Sequence, residues 1–370
     1  MRRAVIAVAA VSMTAGLAAC GSAKESDGGS GDDGGKKKGN DLTIGLLLPE
    51  NETVRYEKAD KPYIEAKVKE LTGGKAKLLY SNAKQDANLQ RQQAETMITK
   101  KVDALIVDAV DSKAIATTVK KADDAGIPVV AYDRLAEGPI KAYTSFDNET
   151  VGKAQGTALL KALGGKAKDG KIVMMNGSAT DPNAAQFKKG ALSVLEGKVD
   201  IGRRYDTKDW KPVNAKSNMD GAITALGKKN IVGVYSANDT MAGAIIQSMK
   251  NAGFDKPLPP VTGQDAELAG VQRVVAGEQY MSVYKSYKQE AEVAGSMAVA
   301  LAQGKKLDGI AKTKVDSPTA KGVPSVLVPV VPLTKSVESI NDTVIKDKLW
   351  SVSEICTPKF KAACDKLGLK

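Results

Sequence analysis

The sequence predicts an α/β fold of two similar lobes, each a parallel sheet with helices on both faces, joined by a three-segment hinge. Short apolar runs alternate with amphipathic segments of helical period along most of the 370 residues. That alternation is typical of a parallel sheet wound with helices. The same succession runs through the chain twice, which predicts two lobes of one kind.

The first lobe is predicted from four apolar runs and three helical segments. The runs lie at 42–48, 77–80, 102–107 and 127–134, and the helices at 54–72, 87–101 and 113–125. The fourth run, IPVVAYDR, ends abruptly in Asp133 and Arg134. Ligands of open α/β sheets bind outside the carboxyl ends of the strands, so this acid–base pair predicts a polar binding site there.

The second lobe repeats this order. Its strands are predicted at 171–175, 199–205, 231–235 and 258–262, and its helices at 181–195, 213–226 and 238–251. Later strands at 280–284 and 326–331 and a helix at 288–301 complete the pattern. Asp181 is suited to cap its helix, with Pro182 at the first helical position.

The two halves also end alike. Residues 125–133 are AGIPVVAYD, and residues 252–265 are AGFDKPLPPVTGQD. Each has a helix stop, a Pro-bearing approach, a short strand and an Asp. We therefore expect Asp133 and Asp265 to occupy equivalent places in the two lobes.

Three crossings between the lobes are expected, near residues 145–149, 285–288 and 314–323. They divide the chain into a first lobe of 42–147 plus about 287–318, a second lobe of 148–286 plus about 319–345, and a C-terminal tail of 346–370. Lobes joined in this way close over a ligand by rigid-body motion.

Residues 1–20 are interpreted as a targeting segment, because two arginines precede an apolar stretch too short to span a membrane as a final helix. Residues 17–21, LAACG, resemble a bacterial lipobox, which implies cleavage before Cys20 and lipid modification of its thiol. An ordinary signal peptide with a chance Cys is the alternative. Residues 21–40 are too poor in apolar side chains for a core and predict a flexible linker. We expect an extracytoplasmic protein, anchored by lipid to the outer face of the cell membrane.

Cys356 and Cys364 are the two cysteines that follow Cys20. Outside the cytoplasm, an isolated close pair predicts a disulfide, with two free thiols as the alternative. It would staple the C-terminal tail and contribute about 2–3 kcal/mol on the chain-entropy model.

The composition excludes several classes of function. The net charge is +11, but the lysines are scattered without an interleaved aromatic stripe, so we expect a solvated basic surface and no nucleic-acid partner. The chain has no His, which removes Ser-His-Asp and Cys-His catalysis and metal sites built from Cys and His. Paired carboxylates for glycoside hydrolysis stay formally open. We expect a binding protein, not an enzyme, without cofactor or metal.

Seven motifs together resemble the type I periplasmic-binding-protein-like sugar receptors. They are LTIGLLLPE, VDALIVDAV, AGIPVVAYDR, FDNETVG, SANDTMAGA, TGQDAELAG and MSVYKS. The resemblance covers about residues 42–350 and is most specific for the pentose receptors of this group. It implies a monomer that captures a pentose, D-xylose above all, and delivers it to an ABC permease and its ATPase.

The same resemblance implies a set of ligand contacts from both lobes. They are Arg55, Tyr56, Asp133, Arg134, Asp181, Asn183, Trp210, Asn238, Asp265 and Lys285. Flat aromatic faces suit a sugar ring, carboxylates accept from hydroxyls, and Arg, Lys and Asn donate to them. Relatives tend to carry Trp where this chain has Tyr56, which leaves a smaller stacking face.

Several of these residues have a plainer interpretation. Trp210 could fill a core, although its flanking sequence DWKP indicates a loop. Asp181 and Asn238 could simply cap helices, and Asp133 with Arg134 could be a local salt bridge. For the whole chain, a sugar receptor that feeds a sensor kinase or chemoreceptor, or one for another monosaccharide, stays open.

Overall fold

The computed structural model describes residues 39–370. The expected targeting segment 1–20, with Cys20, and nearly all of the expected linker 21–40 lie outside the described residues. Between residues 39 and 370, no helix is both long enough and apolar enough to cross a membrane.

Strands and helices alternate along most of the described chain. The strands are β1 (Thr43–Leu48), β2 (Lys77–Asn82), β3 (Ala104–Val107), β4 (Val129–Tyr132), β5 (Ala142–Phe146), β6 (Lys171–Asn176), β7 (Asp200–Asp206), β8 (Ile231–Ser236), β9 (Met281–Lys285), β10 (Thr313–Val315), β11 (Val323–Val328) and β12 (Val330–Thr334). The helices are α1 (Lys61–Thr72), α2 (Ala87–Thr99), α3 (Ala116–Asp124), α4 (Asn148–Leu163), α5 (Pro182–Leu195), α6 (Pro212–Leu226), α7 (Asp239–Asn251), α8 (Leu268–Ala276), α9 (Tyr287–Ala302), α10 (Val337–Ile340), α11 (Val352–Ile355) and α12 (Lys361–Leu367). Shorter helical turns lie at Tyr56–Asp60, Gly164–Lys168, Lys208–Trp210, Lys228–Asn230 and Asn341–Ile345.

The first lobe is built on a seven-stranded sheet in the order β10-β11-β5-β4-β3-β1-β2. All neighbours are parallel except β10, which pairs antiparallel with β11. Successive residues of a strand face opposite sides. Ile44 and Leu46 therefore pack in the core that includes α1 and α9, whereas Leu47 packs in the core formed with α2 and α3. Burial on both faces explains the continuous apolar runs of the sequence.

The second lobe has the parallel order β7-β6-β8, with helices packed around it, and β9 pairs antiparallel with β12. The predicted α/β architecture of parallel sheets between helices is confirmed. The strand expected at 258–262 is wrong. Pro257, Pro259 and Pro260 lack the N–H that a ladder needs, and only Val261 makes an isolated bridge, to Val234.

Helix α4 has no counterpart in the sequence prediction. It packs backbone to backbone against α5, because a Cβ added to Gly152 would lie 2.0 Å from the carbonyl oxygen of Phe187. A Cβ on Gly190 would likewise lie 2.1 Å from the carbonyl oxygen of Glu149. Glycine within a helix weakens the helical signal of a sequence, but here it permits the close contact of the two helices.

The chain changes from one sheet to the other at three places. The first change lies between β5 and α4, and the second between β9 and α9. The third was expected at 314–323 and is wrong, because β11 pairs in register with β5 of the first lobe. The change falls at Pro329, between β11 and β12. Residues 323–328 thus belong to the first lobe, not the second, and the expected strand 326–331 is two strands.

The C-terminal tail packs back onto the second lobe. The predicted disulfide between Cys356 and Cys364 is confirmed, with Cα atoms 5.9 Å apart. Trp350 is buried and its Nε1 donates to the carbonyl oxygen of Ala266 at 2.8 Å. The carboxylate of Asp347 accepts from Ser286 Oγ at 2.7 Å, beside the second change of sheet. The tail therefore supports both the hinge and the loop that follows Asp265.

Candidate functional site

A cleft lies between the two lobes at the carboxyl ends of their strands, where ligands of α/β proteins bind. The space between its walls that protein atoms leave unfilled is ≈ 330 Å³, part of it continuous with open solvent. All ten side chains predicted from the sequence line it, namely Arg55, Tyr56, Asp133, Arg134, Asp181, Asn183, Trp210, Asn238, Asp265 and Lys285. The structure thus brings the candidates together, and their contact with a ligand stays a prediction.

Arg55 is fixed by carboxylates on three sides. Its guanidinium forms ion pairs with Asp60 and Glu290 at 2.7 Å and with Asp133 at 2.6 Å. The ring of Tyr287 lies 4.2 Å from the guanidinium carbon, within the range of a cation–π contact. A planar guanidinium held at this many points keeps one orientation, so it presents Asp133 to the cleft in a fixed position.

Asp133 follows β4 with a left-handed backbone, φ 56°. Its Oδ2 accepts from Arg55, and its Oδ1 accepts from Asn183 Nδ2 of the second lobe at 2.8 Å. Burial raises the pKa of Asp133, but the charges of Arg55, Lys285 and Arg134 outweigh burial and hold the pKa below its usual value. Asp133 is therefore ionised at neutral pH, and an ionised carboxylate can accept hydrogen bonds from hydroxyl groups.

Arg134 reaches the second lobe across the cleft. Its Nε lies 3.0 Å from Asp181 Oδ2 and 3.4 Å from Asp108 Oδ1. Its Nη2 lies 3.4 Å from the hydroxyl of Tyr56, which is buried in the cleft wall. Asp133 and Arg134 each pair with a partner elsewhere in the chain. Asp133 and Arg134 therefore form ion pairs with other residues and not merely a local salt bridge with each other.

Asp181 serves two purposes with its two oxygens. Oδ1 accepts from the backbone N–H of Asn183 at 2.8 Å and caps α5. Oδ2 accepts from Trp210 Nε1 at 3.1 Å and faces Arg134. Burial raises the pKa of Asp181 despite the opposing charge of Arg134. The helix-cap interpretation of Asp181 is correct but incomplete, because the second oxygen faces the cleft.

Trp210 lies in a tight turn, with φ 57°, and places its indole in the cleft. The ring lies against Gly177, where an added Cβ would be 2.0 Å from Cζ2 and Cη2. Phe187 meets its edge at a centroid distance of 6.4 Å. Trp210 thus belongs to the core and to the cleft wall, and it can present a flat apolar face to a ring.

Asp265 and Lys285 form the second-lobe pair, with Nζ 2.8 Å from Oδ1. Like Asp133, Asp265 has a left-handed backbone, φ 90°. The carbonyl oxygen of Asp265 accepts from Tyr287 Oη at 2.6 Å, just as that of Asp133 accepts from Tyr143 Oη at 3.1 Å. These shared details agree with the equivalence expected from the duplicated sequence.

Two buried acceptors that line the cleft, Asn183 Oδ1 and Gln264 Oε1, have no hydrogen-bond partner among residues 39–370. An unpartnered buried acceptor costs free energy, and a hydroxyl group would satisfy it. Asn238 uses Oδ1 to cap α7 through Met241 N–H at 2.9 Å. Its amide nitrogen is left to donate.

Three lining residues were missed by sequence reasoning: Thr53, Phe187 and Gln264. Phe187 lies one helical turn after Asn183, and residues at this spacing share a face, so the signal was present. Gln264 immediately precedes Asp265. Thr53 lies in the irregular segment after β1, and no pattern in the sequence singles it out.

The cleft lining balances its charges. Three cations, Arg55, Arg134 and Lys285, face three acids, and each cation already has an acidic partner within 3.0 Å. An ionic ligand would bring a further charge into a lining whose charges are already paired, and burying an unpaired charge is costly. A neutral ligand with several hydroxyls can instead donate and accept at the same groups.

Residues 44–306 match the family model of the periplasmic binding protein domain. The chain belongs to the periplasmic binding protein family. Among its relatives, the D-xylose-binding periplasmic protein of Escherichia coli K12 is 34% identical, over 85% of this chain and 93% of that protein. The multiple sugar-binding periplasmic receptor ChvE of Rhizobium radiobacter is 33% identical, over 80% of this chain and 87% of that protein. By their names, both relatives are binding proteins or receptors.

Solved structures of this family share the fold. A carbohydrate transporter solute binding protein from Chloroflexus aurantiacus, in complex with D-glucose, superposes with a TM-score of 0.73 at 26% identity. The match covers 84% of this chain and 97% of that chain. The two-lobed architecture of this periplasmic binding protein is therefore that of its family.

Proposed function

We propose that this protein captures a monosaccharide in the cleft between its lobes and delivers it to an ABC permease and its ATPase. The observation that carries the proposal is the charge-balanced cleft lining, in which both lobes contribute acids and cations and the second lobe adds amides and the aromatic face of Trp210. Groups of this kind, fixed by their own partners, bond several hydroxyls of a neutral ring at once. The names of the relatives support the same class of ligand.

D-Xylose is the proposed ligand, and D-glucose is the second candidate. The relative at 34% identity is named for D-xylose, whereas the Chloroflexus structure contains D-glucose. The two pyranoses differ by one hydroxymethyl group. A pocket that binds the pentose alone must leave no room for that group, and a difference of this size is worth about 1–3 kcal/mol in affinity.

Isothermal titration with D-xylose, D-glucose, D-ribose and D-galactose tests the proposal. We expect saturable binding of D-xylose and a dissociation constant at least about tenfold higher for the other sugars. Asp265→Asn should weaken binding by at least about tenfold, because it removes a charged acceptor from the cleft. Asp220→Asn, on the exposed face of α6, is the matched control and should bind like wild type. Failure of all four sugars to bind would overturn the proposal, and tighter D-glucose binding would select the second candidate.

Attachment to the membrane is proposed from the sequence around Cys20. Metabolic labelling with a radioactive fatty acid should mark the wild-type protein and leave Cys20→Ser unlabelled. Labelled-sugar uptake by cells that lack the gene distinguishes transport from sensing alone, because a receptor dedicated to signalling would leave uptake unchanged. Turnover of xylosides by the purified protein would contradict a pure binding role.

A further inference from the structure

Asp239 lies directly behind the cleft without lining it. It is the first residue of α7, next to the cleft residue Asn238, and it is completely buried. Its Oδ1 accepts from Gln279 Nε2 at 2.6 Å. Its Oδ2 accepts from Ser282 Oγ at 2.8 Å and from the backbone N–H of Glu267 at 3.0 Å. Each oxygen of this carboxylate is thus committed to groups inside the protein.

Those bonds enclose the loop that carries Asp265. At the start of the loop, the backbone N–H of Asp239 donates to the carbonyl oxygen of Gln264 at 3.0 Å. At its end, the carboxylate of Asp239 holds the N–H of Glu267. One residue therefore ties both ends of residues 264–267.

Asp239 holds the middle of the loop indirectly, through hydrogen bonds of Ser282. Ser282 Oγ, which donates to Asp239, also accepts from the backbone N–H of Ala266 at 3.1 Å. Asp265 and Ala266 have left-handed backbones, with φ 90° and 45°. For residues other than glycine, such conformations cost about 1–3 kcal/mol each, and they persist only where the surroundings enforce them.

The fold reserves space for this carboxylate. A Cβ added to Gly263 would lie 2.0 Å from Asp239 Oδ1, and one added to Gly270 would lie 2.2 Å from Oδ2. Any side chain at either position would displace the acid. The carboxylate therefore fits between the loop that precedes Asp265 and the helix α8 that follows it.

We propose that Asp239 is a positioning residue of the ligand site: it holds the 264–267 loop so that the Asp265 carboxylate meets Lys285 and the sugar. Asp239 does not touch the sugar itself. The inference rests on the proposed function, since Asp265 is taken to bind the ligand. Asp239 also connects the cleft residues Asn238 and Asp265. It follows Asn238 in the chain, and its hydrogen bonds to Gln264 and Glu267 lie on either side of Asp265.

A double-mutant cycle with D-xylose and D-glucose tests this role. Asp239→Asn keeps the size of the side chain but turns one of its two acceptor atoms into a donor. We expect it to raise the dissociation constant at least about tenfold. Because Asp239 acts through Asp265, the double variant with Asp265→Asn should bind no more weakly than Asp265→Asn alone. Gln247→Ala, on the exposed face of the same helix, should stay within about twofold of wild type.

The proposal would be overturned if Asp239→Asn bound sugar as tightly as wild type. It would also be overturned if the rise in the dissociation constant of the double variant equalled the product of the two single rises. If wild-type protein binds neither sugar, the proposed function fails, and hydrogen exchange of the ligand-free protein decides the role of Asp239. The amides of Ala266 and Glu267 should then exchange at least about tenfold faster in Asp239→Asn, with α5 amides unchanged. Equal acceleration throughout the lobe would show a general structural role and overturn the proposal.

Should Asp239→Asn fail to fold, Ser282→Ala replaces it in both experiments. This variant removes one donor to Asp239 and the acceptor for Ala266, and leaves the carboxylate in place. We expect about a threefold rise in the dissociation constant, again absent when Asp265 is already Asn. A Ser282→Ala protein that binds and exchanges like wild type would contradict this role of Ser282.

Discussion

Arg134 and Asp181 form an ion pair of 3.0 Å that joins the two lobes inside the cleft. Asp181→Asn keeps an oxygen that can cap α5 but removes the charge that faces Arg134. We expect the dissociation constant for sugar to rise at least about tenfold, and the free energy of unfolding to fall by about 1–3 kcal/mol, because Arg134 loses a buried partner. Titration calorimetry and urea denaturation measure the two effects. An unchanged affinity would show that this pair does not take part in binding.

Gly177→Ala should damage the aromatic wall without removing a polar group. The new methyl group would overlap the indole of Trp210, so the ring must shift. We expect weaker sugar binding by about tenfold and a loss of about 1–3 kcal/mol of stability. The matched control is Gly221→Ala on α6, where the nearest atom to the new Cβ is 3.9 Å away. That control should bind normally and gain up to about 1 kcal/mol.

The stability of the protein should fall as pH rises from about 4 to about 7. Burial raises the pKa of Asp239 from 3.8 to about 7, although Arg273 opposes the shift. Because the folded-state pKa is raised, the stabilising contribution is complete below about pH 4 and is lost as pH rises through about 7. The loss amounts to at most about 4 kcal/mol.

Denaturant unfolding at about pH 5 and about pH 8 measures this dependence. Asp181, Asp108, Glu267 and Glu290 also have pKa values raised by burial and contribute with the same sign. They remain in Asp239→Asn, so the difference between wild type and variant reports Asp239 together with its effect on the pKa of Glu267. Equal pH slopes for the two proteins would contradict the prediction.

The disulfide should stabilise the tail more than the cleft. Replacing Cys356 and Cys364 by Ser should lower the free energy of unfolding by about 2–3 kcal/mol, because the unfolded chain regains freedom. Sugar affinity should change by less than about threefold, since Trp350 still holds Ala266. Denaturation of the reduced wild-type protein is the parallel measurement and should give the same loss.

Asp133, Arg134 and Asp265 could be found from the sequence because each follows a predicted apolar strand, whereas the full set of cleft residues was implied by the resemblance to sugar receptors. Equivalent places in two similar lobes predicted that these residues face one another across the cleft. Their pairing could not be found in the same way. Arg55 bonds Glu290, 235 residues further along, and such a contact depends on how two distant helical segments pack.

The fold was predicted least well where packing overrides local preference. Helix α4 escaped notice because its glycines serve a close helix contact, which only the folded lobe explains. The third change of sheet was misplaced because residues 326–331 form one apolar stretch interrupted only by Pro329. Nothing local shows that its two parts pair with strands of different lobes.

The C-terminal tail also supplies a tryptophan, Trp350, whose fluorescence can be used to follow the protein in solution. The chain contains two Trp residues, and Trp210 lines the cleft. The other, Trp350, has the Nζ of the first-lobe residue Lys58 at 5.7 Å from the centre of its ring. Trp350 therefore touches both lobes, whereas Trp210 meets the cavity. In Trp350→Phe, the fluorescence of Trp210 reports occupancy of the cavity. In Trp210→Phe, the fluorescence of Trp350 reports rotation of the lobes.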